Sequence, residues 1–226
     1  METIQIEDLK CEIYRTPGTS KTAYIIYPMI ESLSGSLIKR LTSQYDISVA
    51  VVYVPADEWN NYLTPWPEPP EEKNFPPFGG KAPEFLKILR DEIIPKVDSA
   101  TGAKSASDRY LVGVSLSGLF ALWEWLQYDL FASIACLSGS FWYTGFLEWF
   151  EAEPIPSKTG KAYFLLGEEE PHSKVKAYRP VGVNTEAVVS RLKEAGVSVT
   201  FDWVPGNHFS DPVTRLEKAF AALYSS

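Results

Sequence analysis

Short apolar runs alternate along this chain with longer segments in which apolar residues recur at helical spacing. The runs at 22–27 (TAYIIY) and 47–54 (ISVAVVYV) are rich in β-branched and aromatic residues and predict strands, the second buried on both faces. Between them, the segment 35–45 (GSLIKRLTSQY) has leucine and isoleucine at the spacing of an amphipathic helix. A strand, a helix and a second strand in this order are typical of a mostly parallel sheet.

The same alternation continues to the C-terminus, so we predict an α/β fold with helices on both faces of a mainly parallel sheet. A long helix is predicted over 82–99, where Pro95 is expected to kink the helix or end it. A helix over 184–195 is expected to close at Gly196, because glycine readily adopts the left-handed conformation of such a cap. Further strands are predicted at 3–6, 11–14, 110–114, 133–137, 162–166 and 197–204, and further helices at 119–130, up to 150 and up to about 224.

Residues 55–81 interrupt the alternation. Seven prolines exclude regular structure over most of this segment. Linkers are usually polar, whereas this segment is aromatic, so we interpret it as a long loop that forms a wall over a site. A domain boundary here would leave the strand at 47–54 in a fragment too small to cover both its faces, so we predict a single domain over 1–226. The aromatic residues of the loop are Trp59, Tyr62, Trp66, Phe75 and Phe78.

Composition and charge narrow the class of function. The formal net charge of −8 argues against binding to nucleic acid or to an anionic membrane surface. Cys11 and Cys136 lie too far apart to suggest a disulfide framework or a metal motif. The N-terminal sequence lacks the pattern of a signal peptide, and no apolar run approaches the length of a membrane span. We expect a cytoplasmic protein without metal or cofactor; a homodimer is left open.

The segment 108–119 (DRYLVGVSLSGL) carries the strongest candidate for chemistry. A strand-like run is followed by Gly-x-Ser-x-Ser and then by helix-compatible residues, which is the pattern of a nucleophile elbow with Ser117 in place of the second glycine. Ser115 would occupy a strained turn, and the small residues Gly113 and Ser117 would keep side chains away from it. Gly118 would let the new helix approach its neighbouring strand. Taken alone, the motif also occurs by chance in loops.

The chain has two histidines, His172 and His208. The loops after the strands of an open α/β sheet meet at its carboxyl edge, so Ser115, the glutamates at 168–170 and His208 are expected to lie there together. A serine hydroxyl needs a histidine to accept its proton, and the histidine needs a carboxylate to orient it. The order serine, acid, histidine is the one associated with the elbow. We therefore predict Ser115 as nucleophile, His208 as general base and His172 as a surface residue.

The acid is less sharply defined, because three consecutive glutamates are by default a solvated run. The strand ending at 166 places one of them at the carboxyl edge, with Glu170 as first choice and Glu168 as second. Asp202 lies within a predicted strand, and Asp211 begins the last helix. A serine–histidine dyad without a strong acid is left open.

The oxyanion formed during attack needs two backbone donors. One is expected to be Leu116 N–H, at the start of the elbow helix, and the other is expected from Met29 or Ile30, in the loop after the strand at 22–27. Aromatic side chains are predicted to line an apolar substrate pocket, although core packing explains each of them equally well. The predicted substrate-binding residues are Tyr62, Trp66 and Trp142.

Short motifs occur in a fixed order between about residues 22 and 220. They are 62–65 (YLTP), 78–80 (FGG), 85–86 (FL), 91–95 (DEIIP), 113–118 (GVSLSG), 138–142 (SGSFW), 166–170 (LGEEE) and 205–208 (PGNH). In order and spacing they resemble the family of putative esterases in the α/β-hydrolase superfamily that includes esterase D and the enterobactin-type siderophore esterases. The resemblance implies an α/β-hydrolase fold, Ser115 as nucleophile, His208 as base and an acid after Gly167, with Glu170 favoured. The chain departs from the family at Pro28-Met29, where members often carry Asp-Gly or His-Gly.

The leading hypothesis is a serine hydrolase that cleaves a carboxylic ester through an acyl-enzyme on Ser115. Small esters, acylated sugars and phenolic esters rank above ferric siderophores, which are anionic, because no basic cluster is expected beside the edge loops. A thioesterase or an acyltransferase would use the same residues. The alternative from another class is a catalytically silent α/β-hydrolase fold that serves as a binding module, which the altered oxyanion loop favours.

Overall fold

A computed structural model describes residues 1–29, 33–71, 73 and 75–224 of the chain. Its main sheet has eight strands in the order β1-β2-β4-β3-β7-β8-β9-β10, and β5 and β6 form a separate two-stranded sheet. The strands are β1 (Glu2–Ile6), β2 (Leu9–Tyr14), β3 (Thr22–Pro28), β4 (Ser48–Val54), β5 (Pro67–Glu68), β6 (Phe78–Gly79), β7 (Arg109–Val114), β8 (Ser133–Leu137), β9 (Lys161–Gly167) and β10 (Ser198–Val204). The α-helices are α1 (Gly35–Tyr45), α2 (Trp59–Tyr62), α3 (Ala82–Ile88), α4 (Ile94–Thr101), α5 (Leu116–Gln127), α6 (Phe146–Ala152), α7 (Val181–Glu194) and α8 (Pro212–Tyr224).

Six adjacent strands of the main sheet, from β4 to β10, pair in parallel. The first two strands form an antiparallel extension, since β1 pairs with β2 and β2 pairs with β4 in opposite directions. The carboxyl ends of the six parallel strands therefore share one edge. The prediction of a mostly parallel α/β sheet is confirmed.

Helices cover both faces of the sheet. Alternate residues of β3 point to opposite faces, so that Tyr24 and Ile26 belong to one core while Ala23 and Ile25 belong to the other. The first core contains residues of α3, α4, α5 and α7, and the second contains residues of α1 and α8. All seven residues of β4 are buried, as its continuous β-branched run predicts.

The long helix after the proline-rich segment continues past Pro95. It comprises α3, a π-helical turn at Leu89–Ile93 and α4, and it closes at Gly102, whose N–H donates to Asp98 O at 2.7 Å. The expectation that Pro95 could end the helix is wrong. A proline ring needs space beside the preceding turn, and the wider π turn just before it provides that space.

Residues 55–81 fold back on themselves instead of running free. Lys81 N–H donates to Asn61 O at 2.8 Å, and Ala82 N–H donates to Thr64 O at 3.1 Å, so residues 61–64 meet the C-terminal end of the segment at the start of α3. Gly79 is required there, because a Cβ would lie 3.1 Å from Asn61 Cα and closer still to its side chain. These contacts favour a packed wall over a linker, and the single-domain assignment stays a prediction. Within the described ranges, no helix is long and apolar enough to cross a membrane.

Candidate active site

Ser115 occupies a tight turn between β7 and α5. Its φ of 59° and ψ of −123° lie in a region that side-chain-bearing residues rarely adopt, so the turn stores backbone strain. Gly113 makes this geometry feasible, since a Cβ at that position would lie 2.1 Å from Ser117 O. Ser115 is thus presented, half-buried, at the carboxyl edge of the sheet.

The loop after β8 fixes this turn. Ser115 N–H donates to Leu137 O at 3.0 Å, and Ser140 N–H donates to Ser115 O at 3.1 Å. The hydroxyl oxygens of Ser115 and Ser140 lie 3.4 Å apart. Both backbone groups of Ser115 are therefore held, and its side chain faces a second, fully buried hydroxyl.

Ser117 does more than replace a glycine in the motif. Its hydroxyl donates to Ile26 O at 2.8 Å and accepts from Val114 N–H at 2.6 Å, which joins β3 and β7 to the first turn of α5. Gly118 lets this turn approach the next loop closely, because a Cβ there would lie 3.0 Å from Gly139 Cα. Both residues favour the close packing of α5 that the elbow needs.

His208 and Glu170 form a pair at the same edge. His208 Nδ1 lies 2.9 Å from Glu170 Oε2, with the glutamate side chain buried and the histidine partly open to solvent. Glu168 and His172, by contrast, are exposed. Of the two glutamates considered from the sequence, the structure thus brings Glu170 to His208.

Glu170 is buried among hydrogen-bond donors. Oε1 accepts from Ser138 Oγ at 2.6 Å and from Gly167 N–H at 2.7 Å. Burial opposes ionisation of the carboxyl group, but the hydrogen bond and charge of His208, together with these two donors, outweigh it and hold the pKa of Glu170 below its usual value. The carboxylate is therefore the favoured form, as an acid that orients a histidine must be.

Arg215 is a further member of the cluster that the sequence reasoning missed. It lies in the first turn of α8 and is buried, and its Nη1 is 3.0 Å from Glu170 Oε1. A signal was present: Arg215 shares the buried stripe of α8 with Ala219 and Leu223 at intervals of one helical turn. A cation on an apolar stripe requires a buried partner.

No hydrogen bond joins Ser115 and His208 in the part of the chain that the structure describes, although both lie at the carboxyl edge of the sheet. A cavity of about 40 Å³ borders His208, and its walls also include Val114, the residue before Ser115, together with Ser138 and Arg215. His208 and the end of the strand that leads into the Ser115 turn therefore border the same cavity.

The two expected oxyanion donors differ in availability. Leu116 N–H is the first amide of α5 and has no acceptor within the helix. Met29 N–H donates to Val54 O at 2.8 Å and extends the β3–β4 ladder, so it is already engaged and does not suit the predicted role. Ile30 lies outside the described residues.

The three aromatic residues predicted to bind substrate lie in different surroundings. Trp142 packs on Tyr178, with ring centroids 4.3 Å apart, only two residues after Ser140. Trp66 donates from Nε1 to Thr144 O at 3.0 Å and thereby ties the proline-rich segment to the loop before α6.

Tyr62 lies in α2, beside α3. It stacks on Phe85 with centroids 5.7 Å apart. Burial raises the pKa of its hydroxyl to about 12, with a contribution from Asp8, which lies in the turn between β1 and β2, three strand positions from β7. The surroundings of Tyr62 favour packing over substrate contact.

The loop between β9 and α7 corrects one expectation about charge. It carries Lys174, Lys176 and Arg179, all exposed, beside the aromatic contact of Trp142 with Tyr178. Three exposed basic residues therefore do accompany an edge loop, which also carries the exposed Glu168 and Glu169. Within the described residues, no group of three or more His, Cys, Asp or Glu side chains is arranged to hold a metal ion.

The sheet order, with its parallel strands and the turn at Ser115, is that of an α/β-hydrolase. Solved structures agree. The IroE-like serine hydrolase from Shewanella oneidensis superposes with a TM-score of 0.75 at 18% identity, over 96% of this chain and 75% of that chain. Siderophore hydrolase EstB from Aspergillus nidulans superposes with a TM-score of 0.77 at 18% identity, over 99% and 94%. At such identities the likeness shows the fold alone.

Sequence comparison adds the family. The family model described as "Putative esterase" matches residues 31–199, and the chain belongs to this family. The uncharacterized protein YbbA of Bacillus subtilis (strain 168) is 29% identical over 135 residues. That match covers 59% of this chain and 54% of YbbA, so it spans about half the length of this curated relative.

Proposed function

We propose that this protein is a serine hydrolase that cleaves a carboxylic ester through an acyl-enzyme on Ser115. The observation that carries the proposal is the Glu170–His208 pair, at 2.9 Å, on the same sheet edge as the strained Ser115 turn. A strained serine, a histidine and a buried carboxylate in this chain order are the parts that acyl transfer requires. Membership of an esterase family supports the same reaction.

In the proposed reaction, Ser115 Oγ attacks the ester carbonyl carbon while His208 Nε2 takes the hydroxyl proton. Glu170 keeps the other ring proton on Nδ1 and stabilises the imidazolium that forms. The tetrahedral intermediate then collapses: the bond from carbon to the alcohol oxygen breaks, and His208 returns the proton to the leaving alcohol. Water, activated by the same histidine, repeats the sequence and releases the acid.

The negative oxygen of the intermediate would be held by backbone amides. Leu116 N–H is available at the positive end of α5 and supplies one donor. Met29 N–H is engaged by Val54 O, and Ile30, the other donor expected from the sequence, lies outside the described residues. Losing one such donor costs roughly 3–4 kcal/mol in comparable enzymes.

The substrate we favour is an aromatic or otherwise apolar ester. Trp142 lies in the loop that follows β8, Trp66 is hydrogen-bonded to Thr144 O of the same loop, and the two would supply an aromatic surface. Anionic substrates rank higher than the sequence suggested, because Lys174, Lys176 and Arg179 lie in the loop whose Tyr178 contacts Trp142. A siderophore ester is thus a second candidate, in line with the siderophore hydrolases that share the fold. A cytoplasmic location and a homodimer stay predictions.

The test is a comparison of Ser115→Ala with Ser43→Ala, an exposed serine of α1. Both variants are assayed with short chromogenic esters, thioesters and a catecholate siderophore, and both are treated with a fluorophosphonate probe. Loss of the nucleophile should lower kcat by at least about 1,000-fold and abolish the probe adduct, while the control behaves as wild type.

Mapping of the probe by mass spectrometry separates the alternatives. An adduct on Ser115 supports an enzyme, and the substrate panel then distinguishes an esterase from a thioesterase. A wild-type protein that forms no adduct, or an alanine variant that turns over esters at the wild-type rate, would overturn the proposal in favour of a binding module.

A further inference from the structure

Arg215 is a buried cation that the proposed catalytic steps do not use. Its side chain is 6% exposed, and it extends from α8 into the cluster around Glu170. Nη1 donates to Glu170 Oε1 at 3.0 Å and also to Ser138 Oγ. Nη2 donates to Asn207 O at 2.6 Å, which is the carbonyl of the residue before His208. One guanidinium thus contacts both the acid and the loop that carries the base.

Stability alone is a poor reason for this arrangement. Desolvation of two charges offsets much of their attraction, so a buried ion pair adds little to stability compared with apolar residues of the same size. Arg215 is also incompletely satisfied, since its buried Nε has no hydrogen-bond partner among the described residues. Its two terminal nitrogens nevertheless make three contacts. Together these contacts fix the position of the loop of Asn207 and His208 relative to Glu170 and Ser138.

The carboxylate has two oxygens with different tasks. Oε2 lies against His208 Nδ1, whereas Oε1 accepts hydrogen bonds from Ser138 Oγ, Gly167 N–H and Arg215 Nη1. Donors that saturate Oε1 leave Oε2 to the histidine and fix the plane of the carboxylate. Gly167 leaves the space that the Arg215 guanidinium and the Glu170 carboxylate occupy, because a Cβ at this position would lie 2.7 Å from Arg215 Nη2 and 3.0 Å from Glu170 Oε1.

We infer that Arg215 is a positioning residue of this site, which aligns Glu170 and the His208 loop with each other so that the histidine meets Ser115 in one orientation. The inference rests on the proposed function. The terminal nitrogens of Arg215 contact Glu170, Ser138 and the carbonyl of Asn207, so it acts through the carboxylate and through the backbone before His208, not on the reacting atoms.

The same contacts predict an effect on pH dependence. The charged and titratable groups around the cluster are Glu170 after β9, His208 and Asp211 in the loop before α8, Arg215 in α8 and Tyr27 of β3 across the cavity. Removing the arginine cation raises the proton affinity of the Glu170–His208 pair, because a positive neighbour disfavours protonation. The acid limb of the profile of kcat/KM against pH should therefore move to higher pH.

The experiment compares Arg215→Met and Arg215→Lys with Arg40→Met. Arg40 lies in α1 and is largely exposed, and it pairs with Glu217 of α8, the helix that also carries Arg215. Its variant therefore controls for the loss of an arginine and of an ion pair at α8. Hydrolysis of p-nitrophenyl acetate gives kcat and KM, and the rate of fluorophosphonate labelling of Ser115 is followed as a function of pH. Thermal unfolding reports whether each variant is folded.

For the methionine variant we expect kcat to fall on the order of 10- to 100-fold, with KM within about threefold of wild type and the acid limb shifted upward. The lysine variant should keep the acid limb in place, since it keeps the charge. It should still lose part of kcat, because one ammonium group cannot donate as a planar fork to both Glu170 and Asn207. The Arg40 variant should match wild type in all three readouts.

The inference is overturned if the methionine variant keeps its kcat and its acid limb, or if its kcat falls without any shift of that limb. Where the methionine variant does not fold, the lysine variant decides, and a wild-type kcat in that variant overturns the inference. Failure of the proposed function looks different, because the wild-type protein itself would then show neither hydrolysis nor labelling of Ser115.

Discussion

Two buried glutamates at opposite ends of the sheet show how surroundings decide the state of a carboxyl group. Glu170, 7% exposed, lies at the carboxyl edge among Ser138, Gly167 N–H, His208 and Arg215. Glu124, 0% exposed, lies on α5, which runs away from that edge. Neither of its oxygens has a well-aligned hydrogen-bond partner in the described part of the chain.

The two carboxyl groups shift in opposite directions. Burial raises the pKa of Glu124 to about 8, and Lys158 and the backbone of Leu130 offset that effect only in part. Burial acts on Glu170 as well, but its donors outweigh it and lower the pKa. Burial alone therefore does not decide the charge state of a carboxyl group, and the donors around the group do.

The largest effect should follow from Glu170→Gln. The amide cannot stabilise the imidazolium of His208 and favours the wrong tautomer, so kcat should fall on the order of 10³- to 10⁴-fold. Steady-state kinetics with a chromogenic ester measures the loss. Glu168→Gln, an exposed neighbour in the same loop, is the matched control and should leave kcat unchanged.

The same assay on Glu124→Gln completes the comparison, since a glutamate without a part in the site should tolerate the change. Two outcomes would contradict the assignment. One is a Glu170→Gln variant with near-normal kcat, which would favour a serine–histidine dyad. The other is a loss of kcat in Glu168→Gln as large as the one expected for Glu170→Gln, which would assign the role of the acid to Glu168.

The next largest effect concerns the stability contributed by Glu124. Its folded pKa, about 8, lies above the ordinary value of 4.5, so the folded state binds more protons than the unfolded state between these two values. The free energy of unfolding should therefore fall as pH rises from about 4.5 to about 8, by on the order of 5 kcal/mol.

Urea unfolding of the wild type and of Glu124→Gln across that range checks this expectation. The glutamine variant cannot ionise, so the decrease should be absent or much smaller, and the difference between the two proteins should grow toward alkaline pH. Parallel curves for the two proteins would show that Glu124 is not the group responsible.

The smallest effect should come from Ser138→Ala. The change removes one donor from Glu170 Oε1, and a hydrogen bond to a charged group is worth about 2 kcal/mol. Because the folded pKa of Glu170 is lowered, its contribution to stability is present above the ordinary pKa and is lost as pH falls through the folded value.

The decrease in the free energy of unfolding caused by Ser138→Ala should therefore be largest at neutral pH and become smaller at acidic pH. Chemical unfolding of both proteins at a neutral and at an acidic pH measures this. A destabilisation that is the same at both would indicate that Ser138 contributes through packing or through its left-handed backbone, with φ at 50°, and not through Glu170.

Features with a local signal were predictable from the sequence. The helix at Gly35–Tyr45 and the strand at Ser133–Leu137 follow from periodicity and β-branching, and they match the predicted bounds. The turn at Ser115 follows from the spacing of small residues around it. The loop at 55–81 is predicted to be irregular, but its short helix α2 packs against α3 and β6, and its strand β5 pairs with β6, contacts that have no local signature.

Features that depend on distant contacts were not predictable. Arg215 meets Glu170 across 45 positions in the chain, and no spacing rule links them. The engagement of Met29 N–H by Val54 O depends on how far the β3–β4 ladder extends, which the composition of the loop does not reveal. The choice between Glu168 and Glu170 likewise needed the burial of each side chain.

The four residues from Leu137 to Ser140 have a consequence for engineering. Leu137 O and Ser140 N–H hold the backbone of Ser115, while Ser138 Oγ binds Glu170, so one short loop sets the position of the nucleophile and of the acid together. An insertion or deletion there would displace both at once, and no second change elsewhere could restore each independently. Attempts to alter substrate preference are better directed at the segment 55–81, where grafted sequences leave this shared support intact.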